Sequence, residues 1–217
     1  GTYCGGVSFG TPFYLTLHGT SVLYSYAEVV CMKISEIIAR VDELKPNKYS
    51  AEIKLDWINR VDGMIWNDVY QYMDIAEIMR QQGVSAYDLP QNIKFEMVKK
   101  VYVDGRQIYI IENGDVETTG YYRGTDGKLN IYPVPAKDDD TTPGLKIVYR
   151  LPFTPHASVD EEPFMQPPFD KAYDDYIAAM IDKYNLDMEG YNNNVNFYNA
   201  GIKEYIDWYN RHKVQED

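Results

Sequence analysis

The apolar residues Ile34, Ile37, Ile38, Val41 and Leu44 recur in steps of three and one, the spacing that draws one stripe along a helix. The pattern predicts a short amphipathic helix from Lys33 to Leu44, stopped where Pro46 disfavours helical geometry at Lys45. Ser50 suits an N-cap, and Ile53, Trp57, Val61, Ile65 and Val69 then recur every four residues. They predict a second helix to about Tyr72, weakened at Gly63 by about 1 kcal/mol relative to alanine. Asp74 to Arg80 reads as another helical turn or two, and Gly83 to Pro90 as loop.

The period then changes from four to two. Phe95–Val103 and Gln107–Ile111 flank Asp104–Gly105, a pair that favours the tight turn of a hairpin. Val116–Arg123 and Leu129–Tyr132 flank Gly124–Gly127 as a second hairpin, and Leu145–Leu151 supplies one more strand. Five short strands predict a small antiparallel sheet inserted between helical segments. Four prolines between Thr154 and Pro168 mark a linker.

Beyond it, Tyr173, Tyr176, Ile177, Met180, Ile181, Tyr184 and Met188 fall on one helical face, with Asp174, Asp175, Asp182 and Asn185 opposite. Gly190 reads as the breaker and Asn192 as the next N-cap. Val195, Tyr198, Ile202, Tyr205, Ile206 and Tyr209 stripe the last helix, and so short a connection predicts antiparallel neighbours. The expected fold is therefore α+β and mainly helical, a single domain over 32–217. It comprises helices over 33–82, the β insertion over 93–151, a linker over 152–168 and a helical hairpin over 169–213. Residues 1–31 read as an N-terminal extension, rich in strand- and turn-forming residues, of uncertain origin.

Composition narrows the function. In 217 residues, 45% hydrophobic and 25% charged content is that of a globular chain, and no apolar run is long enough to span a bilayer. A formal charge of −12 disfavours sequence-specific nucleic-acid binding, because the field repels polyanions. A disulfide between the two cysteines, Cys4 and Cys31, is open, but unpaired thiols in a reducing compartment are the simpler reading. His18, His156 and His212 are too dispersed to complete a zinc site with them.

The search for chemistry finds no site. Asp138–Asp140 lacks the spaced ligands of a calcium loop and reads as a solvated acidic turn. Asp160–Glu162, adjacent residues of a proline-rich linker, point apart with nothing to fix them as a catalytic pair, and His156 lacks a nucleophile in an elbow motif. No phosphate-loop, dinucleotide-binding or zinc-protease motif occurs. The expectation is a protein with no catalytic residues, cofactor or metal. Of the 21 tyrosines, those of the closing helices read as core or interface residues with a wet hydroxyl end. Their rival reading is a non-enzymatic, tyrosine-rich binding module, at a surface or on carbohydrate. Trp208, one position off the stripe, is a candidate subunit contact.

Two stretches carry a resemblance. One is Met32–Ile38 with Asp42–Asn47, Trp57 and Asp62–Gly63. The other is Pro167–Asp170 with Tyr176, Ile181–Asp182, Glu189, Tyr191–Asn193, Phe197, Asn199–Ala200 and Trp208–Arg211. Over about 90 of the 217 residues they resemble the head–tail connector, or adaptor, proteins of tailed phages and prophages of Gram-positive hosts. The resemblance implies a structural virion protein, assembled in the bacterial cytoplasm, that forms or joins a ring beneath the portal. Its partners would be copies of itself and the portal or a neighbouring tail-junction protein, with DNA only a passing polymer and no membrane. Trp208, Arg211, Tyr191 and Phe197 would make subunit contacts, and residues 1–31 depart from the family pattern.

Overall fold

The computed structural model describes residues 3–4, 7–8, 31–111 and 118–213. The chain divides into two compact units, one from residues 1–65 and 154–217 and the other from Trp66–Phe153.

The first unit is built on four helices: α1 (Ile34–Leu44), α2 (Ala51–Met64), α3 (Lys171–Tyr184) and α4 (Met188–Lys213). A two-residue ladder, β1 (Tyr3–Cys4) against β2 (Val7–Ser8), precedes them. The predicted stripes are the buried ones: Ile34, Ile37, Ile38 and Val41 from α1, Trp57, Ile58 and Val61 from α2, and Tyr173, Ile177, Met180 and Ile181 from α3. From α4, Ile202, Tyr205 and Tyr209 join this core. Cys31 is disulfide-bonded, and Cys4 is the sequence's one other cysteine, so the reading of unpaired thiols is set aside.

The break between α3 and α4 falls earlier than Gly190. It is made by Asn185–Asp187, with Leu186 in the left-handed region at φ 63°. Gly190 lies inside the first turn of α4 for a different reason. A Cβ there would stand 2.6 Å from Asp187 Oδ2 and 2.7 Å from Asp182 Oδ2. Further along, an added Cβ at Gly201 would lie 3.1 Å from the Ala172 Cβ, so two small residues let α3 and α4 approach closely.

After Met64 the chain widens into a π-helical stretch, Ile65–Tyr70, and passes into the second unit. The expected small antiparallel sheet is corrected here: the unit is a seven-stranded mixed sheet, and the fold is α+β with a large sheet. Its strands are β3 (Met73–Ile78), β4 (Ala86–Tyr87), β5 (Val98–Val103), β6 (Arg106–Ile110), β7 (Gly120–Arg123), β8 (Leu129–Tyr132) and β9 (Leu145–Arg150). They lie in the order β3-β9-β5-β6-β7-β8-β4, and β6 runs parallel to β7.

Two differences produce the larger sheet, and a third shortens one of its strands. Residues 73–78, read as helical, form the edge strand β3 and pair antiparallel with β9. The Gly83–Pro90 loop contributes β4, which pairs with β8. Phe95–Met97 is a single 3₁₀ turn, so β5 begins at Val98. The hairpin at Asp104–Gly105 forms where expected, with both residues at positive φ, 50° and 73°, as its tight turn requires. Residues 112–117, the start of the strand expected from Val116, lie outside the described residues. One face of the sheet packs Val101, Leu129, Leu145 and Ile147 into a core, with Tyr87, Tyr121 and Tyr149 at its margins.

Candidate functional site

The four candidate contact residues all lie on α4, but in different settings. Phe197 stands 61% exposed on a helical face otherwise lined by polar residues such as Asn193, Asn196 and Glu204. Arg211 is exposed, its Nε donating to the Asp207 carbonyl one turn back. Tyr191 is half-buried, with the Lys183 ammonium 5.7 Å from its ring centroid. Trp208 is also half-buried, inside its own chain's aromatic cluster: it is 5.2 Å from Phe169 and stacks on Tyr205 and His212. Phe197 is thus the most open apolar group of the set.

The tyrosines of the closing helices are mostly spent inward. Tyr173, Tyr205 and Tyr209 are buried, and Tyr176 meets Tyr198 at 4.9 Å. Burial pushes the hydroxyl pKa of Tyr198 well above its usual value.

The linker is not loose. It is a strap held at both ends of its acidic run. The first free amides of α1 donate to it: Ile34 N–H to the Glu161 carbonyl at 3.0 Å, and Ser35 N–H to the Val159 carbonyl at 2.8 Å. Glu161, expected to be unfixed, accepts from the backbone amides of Ala157 and Ser158 at 2.8 and 2.9 Å. Its other carboxylate oxygen meets His156 Nδ1 at 3.1 Å.

The second anchor of the strap is Asp62, fully buried on α2. It accepts from His156 Nε2 at 2.8 Å, from the Phe164 amide at 3.2 Å, and from the Tyr173 hydroxyl. That hydroxyl in turn accepts from the Met165 amide at 3.0 Å. One carboxylate therefore ties α2, the strap and α3 together. Desolvation by burial raises the pKa of Asp62, although its hydrogen bonds from His156 and Tyr173 oppose the rise. For His156, burial opposes the charged ring, but Asp62 and Glu161 outweigh it and raise the pKa. With a carboxylate oxygen at each ring nitrogen, the arrangement fits an imidazolium donating both ways. Both ring nitrogens are engaged in holding the strap.

The unit contains further ion pairs between helices. Arg40 of α1 meets Asp174 at 2.7 Å and Asp170 at 2.8 Å, and Lys54, buried on α2, meets Asp42 at 2.6 Å. Lys45 pairs with the buried Asp182, which also accepts from Asn194 Nδ2 at 2.8 Å. These bonds join both helical pairs.

In the sheet unit, the acidic turn is likewise more than a solvated loop. Asp139, with 6% of its side chain exposed, pairs with Arg80 at 2.7 Å and accepts from the amides of Arg80 and Gly144, both at 2.7 Å. The Arg80 guanidinium is the main reason its carboxyl lies far below the usual range. Asp138 accepts from the Gln82 amide at 2.6 Å. Among the described residues no group of three or more potential ligands could hold a metal ion. A shallow groove lined by Lys94, Arg123 and Lys128 has two of its cations on carboxylates, Arg123 on Glu96 at 2.7 Å and Lys128 on Asp88 at 3.0 Å.

The strap was missed in the sequence because its prolines outweighed the one usable signal, a histidine followed five residues later by a glutamate. No protein-family model matches the chain, and no curated protein sequence matches it either. No helix among the described residues is long and apolar enough to cross a membrane.

Proposed function

We propose that this chain is a structural subunit of a phage or prophage head–tail junction, which forms or joins a ring beneath the portal. What supports the reading is the placement of the two stretches that carry the family resemblance. They are separated by about a hundred residues of sequence, yet both belong to the helical unit, and the intervening sheet is a unit of its own. Residues of the two stretches pair with each other: Lys45 with Asp182, while Asp62 and the half-buried Gln166 gather the strap that leads into the second stretch. The resemblance therefore concerns one coherent body rather than scattered helices.

In such a ring each copy packs sideways on the next through unlike surfaces that close at a fixed rotation. The open face of α4, centred on Phe197, offers the apolar anchor such a contact uses, and the portal or a neighbouring tail-junction protein is the axial partner. The helical unit has eleven basic and twenty acidic side chains in sequence, a formal −9, which lets DNA pass without adhering.

The test is assembly. The purified chain, alone and mixed with the portal ring of the same virus, is measured by light scattering and electron microscopy. A closed multimeric ring, alone or seated on the portal, is expected, and Phe197→Asp should abolish it while leaving the helical circular dichroism unchanged. A chain that stays monomeric and does not bind the portal ring would overturn the proposal.

A further inference from the structure

The sheet ends on one side in β3, a six-residue strand that pairs, among the described residues, only with β9. Its hydrogen-bonding pattern shows which groups are left over. Leu151 N–H donates to the Tyr72 carbonyl at 2.9 Å, so the antiparallel ladder with β9 is bonded at residue 72 and, by alternation, at 74, 76 and 78. The amides and carbonyls of Met73, Ile75 and Glu77 therefore point away from the sheet. Ile75 N–H accordingly finds its acceptor in the neighbouring Asp74 carboxylate, at 2.8 Å.

The same three residues carry the outer face of the strand. Met73 is 49% and Ile75 56% exposed, and β3 has no proline, lysine or bulge to protect its edge, only the acids Asp74 and Glu77. The opposite edge of the sheet is β4, only two residues long, so a second copy cannot extend the sheet head to tail over any length.

We propose that β3 pairs antiparallel with β3 of a second copy about a twofold axis through Ile75, forming a dimer with one continuous sheet. Three features select this register. It sets Ile75 opposite Ile75 and Met73 opposite Glu77, so the outward amides and carbonyls of residues 73, 75 and 77 all meet partners. It keeps both core faces on the same side, because opposed residues share parity. It places no like charges opposite each other, since Asp74 faces Ala76 and Glu77 faces Met73.

The rows across the joint are complementary. The central row runs Val148, Ile75, Ile75 and Val148, using the register of β3 against β9 on both sides. Each flanking row runs Arg150, Met73, then Glu77 and Lys146 of the second copy. Arg150 Nε is buried with no hydrogen-bond partner among the described residues, and the incoming Glu77 carboxylate lies along its row. On dimerisation Ile75 N–H exchanges the Asp74 carboxylate for a main-chain carbonyl.

This pairing uses the sheet unit and does not depend on the ring reading, whose contacts lie on α4. The full chain is examined by light scattering across a concentration series. In Phe197→Asp, which removes the α4 ring contact, the expected mass is twice the 25.1 kDa of one chain, and adding Ile75→Lys halves it with unchanged circular dichroism and melting temperature. Met73→Lys, at the same edge, does the same if Ile75→Lys perturbs folding, whereas Ile110→Lys, at an exposed position on β6, leaves the dimer intact. A Phe197→Asp chain monomeric at every concentration shows that Asp74 suffices to close the edge and overturns the proposal. A dimer that survives both edge variants overturns it equally.

Discussion

Removing one oxygen in Tyr173→Phe takes away a donor to the buried Asp62 carboxylate and the acceptor of the Met165 amide together. Two buried groups are left short of partners while the ring itself still fits, so the expected loss is about 1–3 kcal/mol in urea unfolding. A variant as stable as the parent would show that the strap is not anchored through this hydroxyl. His156 gives the same anchor a pH dependence. Its pKa is raised in the folded chain, so the folded state holds the proton more tightly than the unfolded one. The stabilisation is complete below the unfolded value of about 6.5 and is lost as pH rises through the raised one. The melting-temperature gap between the parent and His156→Gln should therefore shrink as pH climbs from 5.5 to 9. A gap that widened with pH would reverse the assignment. None of this was legible beforehand. Asp62 entered the sequence reading only beside Gly63, as part of the resemblance, and tertiary distance hides its partners, which lie 94, 102 and 111 residues away.

Single elements were more legible where local physics decides them. The three-and-four spacing located the helices because one buried stripe is all a packed helix needs, and Asp104–Gly105 located a turn that few other pairs can make. Strand β3 was misread because its alternation has the less expected phase. Met73 and Ile75 face outward, while Asp74, Ala76 and Ile78 face the core side, where Asp74 accepts from the Tyr149 hydroxyl at 3.1 Å. The parallel contact of β6 with β7 escaped notice because adjacent strands on a short connection are expected to run antiparallel. At the hairpin of α3 and α4, Gly201 gives a sharp test. Valine there must force its branched side chain against Ala172 and is expected to destabilise by about 1–3 kcal/mol. Alanine meets the same neighbour at 3.1 Å but gains helix propensity of about 1 kcal/mol, so its thermal melt should stay near the parent's.

Across the whole molecule, charge is divided unequally. The sheet unit has ten basic and thirteen acidic side chains, a formal −3, against −9 for the helical unit. If copies meet through the helical unit, they meet as like charges, and salt screens that repulsion over a Debye length near 10 Å at 0.1 M. Raising salt from about 50 to 300 mM should therefore strengthen association between copies, the opposite of what a DNA-binding surface would show. Sedimentation at the two salt levels reads the difference, and weaker association at high salt would place the contact elsewhere. The resemblance was visible only in the helical unit's residues, and the sheet unit between them is recognisable by its hairpins alone.

The sheet unit also closes its own doorway. Trp66, its first residue, donates its indole N–H to the Leu151 carbonyl at 2.8 Å, and its ring stands 6.4 Å from that of Phe153, the last. The chain departs and comes back through nearly one point, so the helical unit is asked to bridge only a narrow gap. A module fastened in this way is a replaceable cassette. Related chains could exchange it for another fold, or reduce it to a few residues, and leave the surrounding helices in register.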